Sequence, residues 1–248
     1  MISKSQAKFI KSLQLKKYRK QEQCFIVDGE KGAEEVIHSD YEVLQLVATK
    51  TYADQNQKLI EKSHAELLIT TDDQLAQLSS FQNNSTVLAV VKQKPNQLPY
   101  LKSDEFALVL DDIRDPGNLG TIIRTADWFG LRKIWASQET ADFYSPKVIN
   151  ASMGSFTRVQ FGYTELSEEL AKTGLPVYGT FMKGENVHEA VFESSGFIVL
   201  GNEAQGISKN VEARITHRLT IPGVKGAESL NAAVAAGIIM DNWSRLKK

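Results

Sequence analysis

The segment FALVLDDIRDPGNLGTIIRTADWFG, residues 106–130, is the clearest indication of fold class in this 248-residue chain. It opens with a short apolar run typical of a buried strand, and a turn follows at the Asp-Pro-Gly of residues 115–117. Apolar residues then recur at helical spacing, which predicts a helix from about Asn118 to Phe129. A buried strand that turns directly into an amphipathic helix is the repeating element of parallel α/β proteins.

The same alternation of strand and helix continues downstream. Four more strands are predicted at residues 133–137, 176–182, 197–202 and 219–223. Helices fill the intervals, and a last helix is predicted over residues 230–246. We therefore expect an α/β fold with a mainly parallel sheet and helices on both faces. Ligands of such sheets bind at the loops after the strand ends, which here are residues 112–117, 180–184, 201–206 and 223–228.

A smaller α/β domain is predicted upstream, behind a basic helical lead-in. Its strands are expected at residues 24–29, 42–49, 66–70 and 86–92. A polar stretch with Pro95 and Pro99 separates the two segments and is interpreted as an interdomain linker. The predicted division is residues 1–95 for the first domain, 96–105 for the linker and 106–248 for the second domain.

Composition places the chain among ordinary globular proteins, with 42% hydrophobic and 24% charged residues. Cys24 is the only cysteine, so no internal disulfide can form, which fits a reducing cytoplasm. No apolar run is long enough to span a bilayer, and the basic N-terminus lacks the apolar core of a signal peptide, so no membrane partner is expected. The four histidines are scattered and pair with no cysteine cluster, so no metal site is predicted.

Positive charge is concentrated at the N-terminus. Seven of the first 20 residues are basic and none is acidic; since the whole chain has a net charge of −1, the rest carries −8. A basic segment on an acidic body suggests a polyanionic partner, and a solvated helix face is the alternative. Under the first interpretation, the phosphate-binding side chains are Lys11, Lys16, Lys17, Arg19 and Lys20.

Three of the loops after predicted strands carry polar residues that suit a site. Asn118 lies at a helix start, where it could simply cap the helix, and Arg124 could simply be a surface charge. Glu203 lies between Gly201 and Gly206, in what is either a ligand loop or a plain turn. Ser229 and Asn231 precede a helix rich in alanine, for which Ser229 could be the cap.

The known nucleotide fingerprints are missing from these loops. The chain contains no G-x-x-x-x-G-K-[ST] phosphate loop and no G-x-G-x-x-G dinucleotide motif. It also contains no G-x-S-x-G nucleophile elbow. An ordinary Rossmann-type nucleotide enzyme or a serine hydrolase is therefore disfavoured.

Taken together, the three loops resemble motifs 1, 2 and 3 of the SpoU/TrmH family of RNA 2′-O-ribose methyltransferases. The matching segments occur in the family's order, and each follows a predicted strand. The first hundred residues resemble a ribosomal-protein-like RNA-binding domain, mainly through FIVDGEKGAEEV at residues 25–36. The motif segments are D-x-R-D-P-G-N-L-G-T-I-I-R-T-A (112–126), G-N-E-A-Q-G-I-S (201–208) and I-P-G…E-S-L-N-A-A-V-A-A (221–236).

The resemblance implies a trefoil knot in the C-terminal domain, a homodimer, and S-adenosylmethionine bound in the knot. The residues it implies around the cofactor are Thr180, Leu200, Gly201, Ile221 and Leu230. The residues that match the family's functional polar positions are Asn118, Arg124, Glu203, Ser229 and Asn231. The implied substrate is structured RNA, with rRNA favoured over tRNA because the N-terminal domain resembles that of rRNA-acting members.

Methyl transfer to a ribose hydroxyl requires either a base or strong stabilisation of the developing alkoxide. The motifs contain no histidine or cysteine, so Arg124 is the candidate for one of these roles. A guanidinium stays protonated in nearly all settings, which favours alkoxide stabilisation as much as the base role. In a dimer, Arg124 could serve a site formed partly by the other subunit. The alternative function is a non-catalytic RNA-binding or ribosome-assembly factor on a methyltransferase scaffold.

Overall fold

The computed structural model describes residues 2–81, 86–224 and 229–245, and the chain forms two compact units. The first unit consists of the chain up to Pro95 together with Asp142–Thr157. The second consists of Asn96–Ala141 together with the chain from Arg158 onward.

The strands and helices of the described residues follow the predicted alternation closely. The strands are β1 (Cys24–Asp28), β2 (Val43–Thr49), β3 (Glu66–Thr70), β4 (Val87–Lys92), β5 (Phe106–Leu110), β6 (Lys133–Ala136), β7 (Gln160–Tyr163), β8 (Val177–Asn186), β9 (Gly196–Leu200) and β10 (His217–Thr220). The helices are α1 (Lys4–Ser12), α2 (Lys16–Glu22), α3 (Glu30–Ile37), α4 (Lys50–Gln55), α5 (Gln57–Ser63), α6 (Asp72–Leu78), α7 (Pro116–Phe129), α8 (Pro146–Ala151), α9 (Leu166–Thr173), α10 (Lys209–Glu212) and α11 (Ala232–Arg245), with a 3-10 turn at Ser155–Thr157. The predicted end of the last helix at Leu246 lies outside the described residues. Strand β7 is an addition that the sequence analysis did not predict.

The first unit is built on a mixed sheet in the order β1-β4-β2-β3, in which only β2 and β3 are parallel. Side chains of α1 and α6, such as Ile10 and Leu75, pack on one face of this sheet. On the other face, the ring of Phe25 lies 4.7 Å from that of Tyr144 and 5.9 Å from that of Phe156. The first unit therefore takes its second core layer partly from a segment that is distant in sequence.

The predicted domain division differs from this arrangement in two ways. Residues 142–157 were expected in the second domain, but their apolar side chains complete the core of the first unit. Residues 96–105 were expected to be a linker, but they belong to the second unit. The side chain of Asn96 accepts from the Tyr163 amide at 2.8 Å and donates to its carbonyl at 3.0 Å, which closes the sheet edge at β7. The indole of Trp135 donates to the Pro99 carbonyl at 2.9 Å.

The second unit is built on a six-stranded sheet in the order β10-β8-β9-β5-β6-β7, with every neighbouring pair parallel. Alternate side chains of a strand point to opposite faces. Ala107 of β5 packs in a cluster with Leu166 and Leu170 of α9, whereas Phe106 contacts Trp243 of α11 at 5.5 Å between ring centroids. Helix α11 in turn packs on α7. The predicted α/β sheet with helices on both faces is thus confirmed, and the trefoil knot stays a prediction.

Arg19 belongs to the core of the first unit rather than to the predicted phosphate-binding surface. Its side chain is only 4% exposed. The guanidinium donates to the carbonyls of Leu13 at 2.9 Å and Gln14 at 2.8 Å, and to the Asp142 carboxylate at 2.6 Å. These acceptors hold the corner between α1 and α2. The sequence prediction was wrong for Arg19, because a run of basic residues does not reveal which of its side chains are exposed to solvent and which are buried.

Replacement of Arg19 by alanine should destabilise the protein by roughly 3 kcal/mol, because it removes the charge partner of the partly buried Asp142 carboxylate and the donor to two carbonyls. Urea denaturation followed by circular dichroism measures this loss. Lys20→Ala is the matched control, since Lys20 is an exposed neighbour on the same helix, and it should change stability by less than about 0.5 kcal/mol. Equal stabilities of the two variants would show that the Arg19–Asp142 pair does not support the fold.

Candidate functional site

The residues predicted to hold a cofactor lie at one edge of the six-stranded sheet. Thr180 lies in β8, Leu200 and Gly201 lie at the end of β9, and Ile221 follows β10. These three strands are neighbours and parallel, so their carboxyl ends meet. The pairing of β8 with β10 passes from Gly179 to Glu185 in a single step, so residues 180–184 leave the ladder at this edge. The sheet order therefore brings the predicted cofactor residues into one region.

Three of the predicted polar residues form a continuous hydrogen-bonded group, here called the Asn118 cluster: Asn118, Glu203 and Asn231. The Asn118 amide nitrogen donates to the Glu203 carboxylate, and the Asn231 amide nitrogen donates to the Asn118 amide oxygen at 3.0 Å. The partners of Asn118 are 85 and 113 residues away in sequence. The cluster therefore ties together α7, the loop after β9 and the start of α11.

Asn118 is available for this cluster because another residue caps its helix. Helix α7 begins at Pro116, and the Asp115 carboxylate accepts from the Asn118 backbone amide at 2.7 Å. The interpretation of Asn118 as a helix cap is therefore wrong, and the missed signal was an aspartate directly before a proline, which is typical of a helix start. Asn118 sits in the first turn, with its side chain directed to Glu203 and Asn231.

Asn231 has a second function, since it caps α11. Its amide oxygen accepts from the backbone amides of Ala233 at 3.0 Å and Val234 at 3.3 Å. The cap is thus Asn231 and not Ser229, and the Asn231 amide nitrogen remains free to reach Asn118. Ser229 is exposed two residues earlier. Residues 225–228, which complete the third motif, lie outside the described residues.

Two residues that the sequence interpretation missed hold the loop after β9. The Asn202 side chain donates to the Asp112 carbonyl at 2.9 Å, and the Asp111 carboxylate accepts from the Ser208 amide at 2.6 Å. Asn202 and Gly206 also exchange backbone hydrogen bonds at 3.0 and 2.8 Å, which closes a tight turn around Glu203. A buried aspartate at the end of an apolar strand, here Asp111, was the available signal.

Two arginines follow β5 in the chain, Arg114 in the loop and Arg124 in α7, and they differ in their partners. Arg124 is on the exposed face of α7, and its guanidinium forms no hydrogen bond or ion pair with any residue in the described ranges. Arg114 is held by the Asp112 carboxylate at 2.6 Å. The hydrogen bond and the charge of Asp112 raise the pKa of the Arg114 guanidinium, so this group stays protonated. Both guanidinium groups can bind an anionic oxygen.

The chemistry at this edge suits a nucleoside-like cofactor. Ile221 is apolar and partly exposed, Leu200 is buried, and the Thr180 hydroxyl, which donates to the Val199 carbonyl at 3.3 Å, adds a polar group. Leu230 is 45% exposed, just before α11. No cluster of three or more metal-binding side chains occurs among the described residues. Within the same residues, no helix has the length and apolar character needed to cross a membrane.

Residues 105–241 match the model of the SpoU rRNA methylase family, which is more than half of the chain. The chain belongs to this family. Residues 4–89 of this SpoU family member match a second model, the MRM3-like substrate binding domain. The family resemblance predicted from the three motifs is thereby confirmed.

Relatives of this family member match along nearly their whole length. The 23S rRNA (guanosine(2553)-2′-O)-methyltransferase RlmP of Bacillus subtilis is 28% identical over 93% of this chain and 92% of the relative. A Porphyromonas gingivalis structure assigned to the TrmH family of RNA methyltransferases is 36% identical, with a TM-score of 0.87 and 99% of both chains covered. An AdoMet-bound rRNA methyltransferase from Sinorhizobium meliloti is 25% identical, with a TM-score of 0.90, and covers 99% of this chain and 97% of its own.

Substitution of Gly201 by alanine should disrupt the loop that carries Glu203. A Cβ atom at this position would lie 2.4 Å from the backbone of Gly206 and of Ile207, so the tight turn would have to open. We expect a loss of roughly 2 kcal/mol in unfolding free energy, in the range of overpacking substitutions. Gly223→Ala is the control, because no atom of the described residues lies within 4 Å of a Cβ there. Thermal unfolding of both variants is the measurement, and equal melting temperatures would contradict the tight approach at Gly201.

Proposed function

We propose that this chain methylates the 2′-hydroxyl of a ribose in structured RNA, with ribosomal RNA as the substrate. The chain is an S-adenosylmethionine-dependent RNA methyltransferase of the SpoU family. The preference for rRNA is supported by the relatives named as 23S rRNA 2′-O-methyltransferases and by the substrate-binding model over residues 4–89. A cytoplasmic location fits this substrate, and the single Cys24 is buried and free.

The observation that carries the proposal is the Asn118 cluster at the sheet edge where the cofactor residues converge. Methyl transfer to an alcohol needs a fixed geometry between the sulfonium methyl and the attacking oxygen. The cluster fixes the loop after β9, which contributes Gly201, relative to the starts of α7 and α11. Glu203 is partly buried and holds Asn118, and Asn118 and Asn231 fix the two helix starts. We assign Ser229, exposed next to this cluster, to contact with the RNA.

S-adenosylmethionine supplies a methyl group on a positively charged sulfur, which is transferred to the ribose oxygen while the hydroxyl loses its proton. A ribose hydroxyl is a weak nucleophile at neutral pH, so the alkoxide that develops must be stabilised. Arg124 provides a permanent positive charge with all its donors unused by other described residues. We assign it to the developing alkoxide, with the proton passing to an RNA phosphate oxygen or to water.

A homodimer is part of the proposal, supported by large apolar side chains exposed on α7 and α11. Trp128 on α7 is 84% exposed, and Val234 on α11 is 53% exposed. Large apolar groups of this kind mark interaction surfaces when they lie together. Arg124 precedes Trp128 by four residues and so lies on the same face of α7. A partner that covers Trp128 would therefore bring Arg124 to a site shared between the two subunits.

The first unit is proposed to hold RNA phosphates through α1 and α2. The lysine side chains predicted for this role are exposed, whereas Arg19 is not. The exposed members of the set are Lys11, Lys16, Lys17 and Lys20. Because α1 also supplies Ile10 to the core, the charges are best removed by substitution and not by deletion of the helices.

Arg124→Ala should abolish turnover, with a loss of at least about 100-fold in kcat, because the developing alkoxide loses its charge partner. Fold and cofactor affinity should be unchanged, since Arg124 is exposed and its side chain bonds to none of the described residues. The assay incubates the protein with radiolabelled S-adenosylmethionine and separated rRNA and tRNA, and maps the label as a 2′-O-methyl group by resistance to alkaline hydrolysis.

Two controls accompany this assay. Arg132→Ala removes an exposed arginine just before β6. It lies at the amino ends of the strands, away from the predicted site at their carboxyl ends, and its removal should keep full activity. Labelling of tRNA alone by the wild-type protein would overturn the rRNA assignment. Full labelling by the Arg124 variant would remove this residue from the mechanism.

Replacement of Lys16, Lys17 and Lys20 by glutamine should weaken RNA binding and reduce its salt dependence. Removing one lysine–phosphate interaction lowers the slope of log K against log salt concentration by about 0.7 to 0.9, so removing three lowers it by about 2. Filter binding at several salt concentrations measures this slope. The matched control replaces the exposed lysines Lys58, Lys62 and Lys172, which lie outside α1 and α2. An unchanged slope in the first variant would exclude α2 from the RNA interface.

A further inference from the structure

We propose that Arg114 is a clamp for an RNA phosphate beside the methyl-transfer site, held ready by Asp112. This inference rests on the proposed function and adds a substrate-binding residue to it. Arg114 lies between β5 and α7, outside the set of polar residues assigned above. Its ligand is a phosphodiester of the RNA, recognised through the parallel donors that a guanidinium presents to two oxygens.

A chain of hydrogen bonds links Arg114 to the Asn118 cluster. The Arg114 Nε donates to the Asp112 carboxylate at 2.6 Å, and the Asp112 carbonyl accepts from the Asn202 side chain at 2.9 Å. The next residue after Asn202 is Glu203, which accepts from Asn118. The guanidinium is therefore fixed at the rim of the same site. Asp112, which holds it, is hydrogen-bonded to the loop that carries Glu203.

Asp112 adopts a backbone conformation that favours glycine, with φ at +61°. A residue other than glycine costs about 1 kcal/mol or more in this region, and such strain is concentrated at functional sites. The conformation is held from two sides, since the Ser137 hydroxyl accepts from the Asp112 amide at 3.0 Å while Asn202 donates to its carbonyl. The protein thus maintains an aspartate where glycine would fit more easily, and the carboxylate so retained holds Arg114.

The ion pair itself contributes little to stability, because the Arg114 side chain is 64% exposed and exposed pairs are worth little in water. Only Nε is engaged, and the terminal nitrogens of Arg114 have no partner among the described residues. The pair therefore orients a guanidinium whose outer edge remains open for two phosphate oxygens. Immobilising the side chain in advance lowers the entropy cost of binding a phosphate.

The acidic neighbours of Arg114 distinguish an RNA phosphate from a small anion. Asp112 faces the guanidinium directly, and Glu139 lies near enough to favour its charged form. Asp115 is engaged by the start of α7. These carboxylates repel a free anion, so inorganic phosphate should bind weakly. A phosphodiester that belongs to an RNA held at other sites on the protein is delivered at high effective concentration and can still bind.

The test measures steady-state methylation with Arg114→Ala and with Asp112→Gly. Arg114→Ala should raise KM for RNA by on the order of tenfold, since a charge-assisted hydrogen-bond pair is removed. Its kcat should stay within about threefold, and the salt slope of RNA binding should fall by about 0.7 to 0.9. Asp112→Gly should raise KM in the same direction without loss of thermal stability, because glycine relieves the positive φ.

Arg132→Ala is a closely matched control. Arg132 is 56% exposed and its Nε is held by Asp127 at 2.9 Å. It precedes β6, so it lies at the amino ends of the strands and not at the carboxyl ends where Arg114 lies. It should leave KM and the salt slope unchanged. Arg114→Lys keeps the charge but loses the paired donors of the guanidinium. Compared with Arg114→Ala, it should have the wild-type salt slope and a KM between those of Arg114→Ala and the wild type.

Several outcomes would overturn the clamp. An unchanged KM and salt slope in Arg114→Ala, with an active wild-type protein, refutes it and leaves the methyltransferase function standing. A weaker affinity for S-adenosylmethionine with unchanged RNA affinity would assign Arg114 to the cofactor carboxylate instead. A normal KM in a folded Asp112→Gly variant would remove Asp112 from the clamp. Failure of the wild-type protein to methylate any RNA would refute the proposed function itself, which is a different result.

Discussion

The site depends on one side chain, the amide of Asn118, which donates to Glu203 and accepts from Asn231. An amide has both a donor and an acceptor end, so it can join a carboxylate on one side and a second amide on the other. A carboxylate at position 118 could not do so, because it would offer no donor to Glu203. This bridge joins the starts of α7 and α11 to the loop after β9, in addition to the hydrogen bonds that Asp111 and Asn202 make between the loops after β5 and β9.

The parallel sheet makes the bridge possible. Because all six strands run in the same direction, the loops after β5, β8, β9 and β10 leave from one edge. The order β10-β8-β9-β5 places the residues predicted to bind the cofactor on strands next to β5, which leads to Asn118, although β5 and β10 are far apart in sequence. Helix capping then positions the side chains of the cluster. Asp115 and Asn231 accept from the first backbone amides of α7 and α11, so the Asn118 side chain is available to bond to Glu203 and Asn231. Fold, capping and site are therefore parts of one arrangement.

Basic residues of this chain have different partners despite similar sequence settings. Arg19 lies within a run of lysines, yet it is buried and holds the core of the first unit through Asp142. Arg114 and Arg124 lie ten residues apart in one motif, yet only Arg114 has a carboxylate partner among the described residues. The deciding factor is what each guanidinium meets in three dimensions, because its charge is the same in all three settings.

The alternation of strands and helices, the α/β class and the family could be predicted from the residues alone, since hydrophobic periodicity and three ordered motifs are local features. The same motifs predicted Asn118, Glu203 and Asn231 as site residues. They did not predict that these three join directly, that Asp115 and not Asn118 caps α7, or that residues 142–157 complete the first unit. Strand order and long-range packing decided these points, because they set which distant segments meet, and no local pattern of residues encodes that choice.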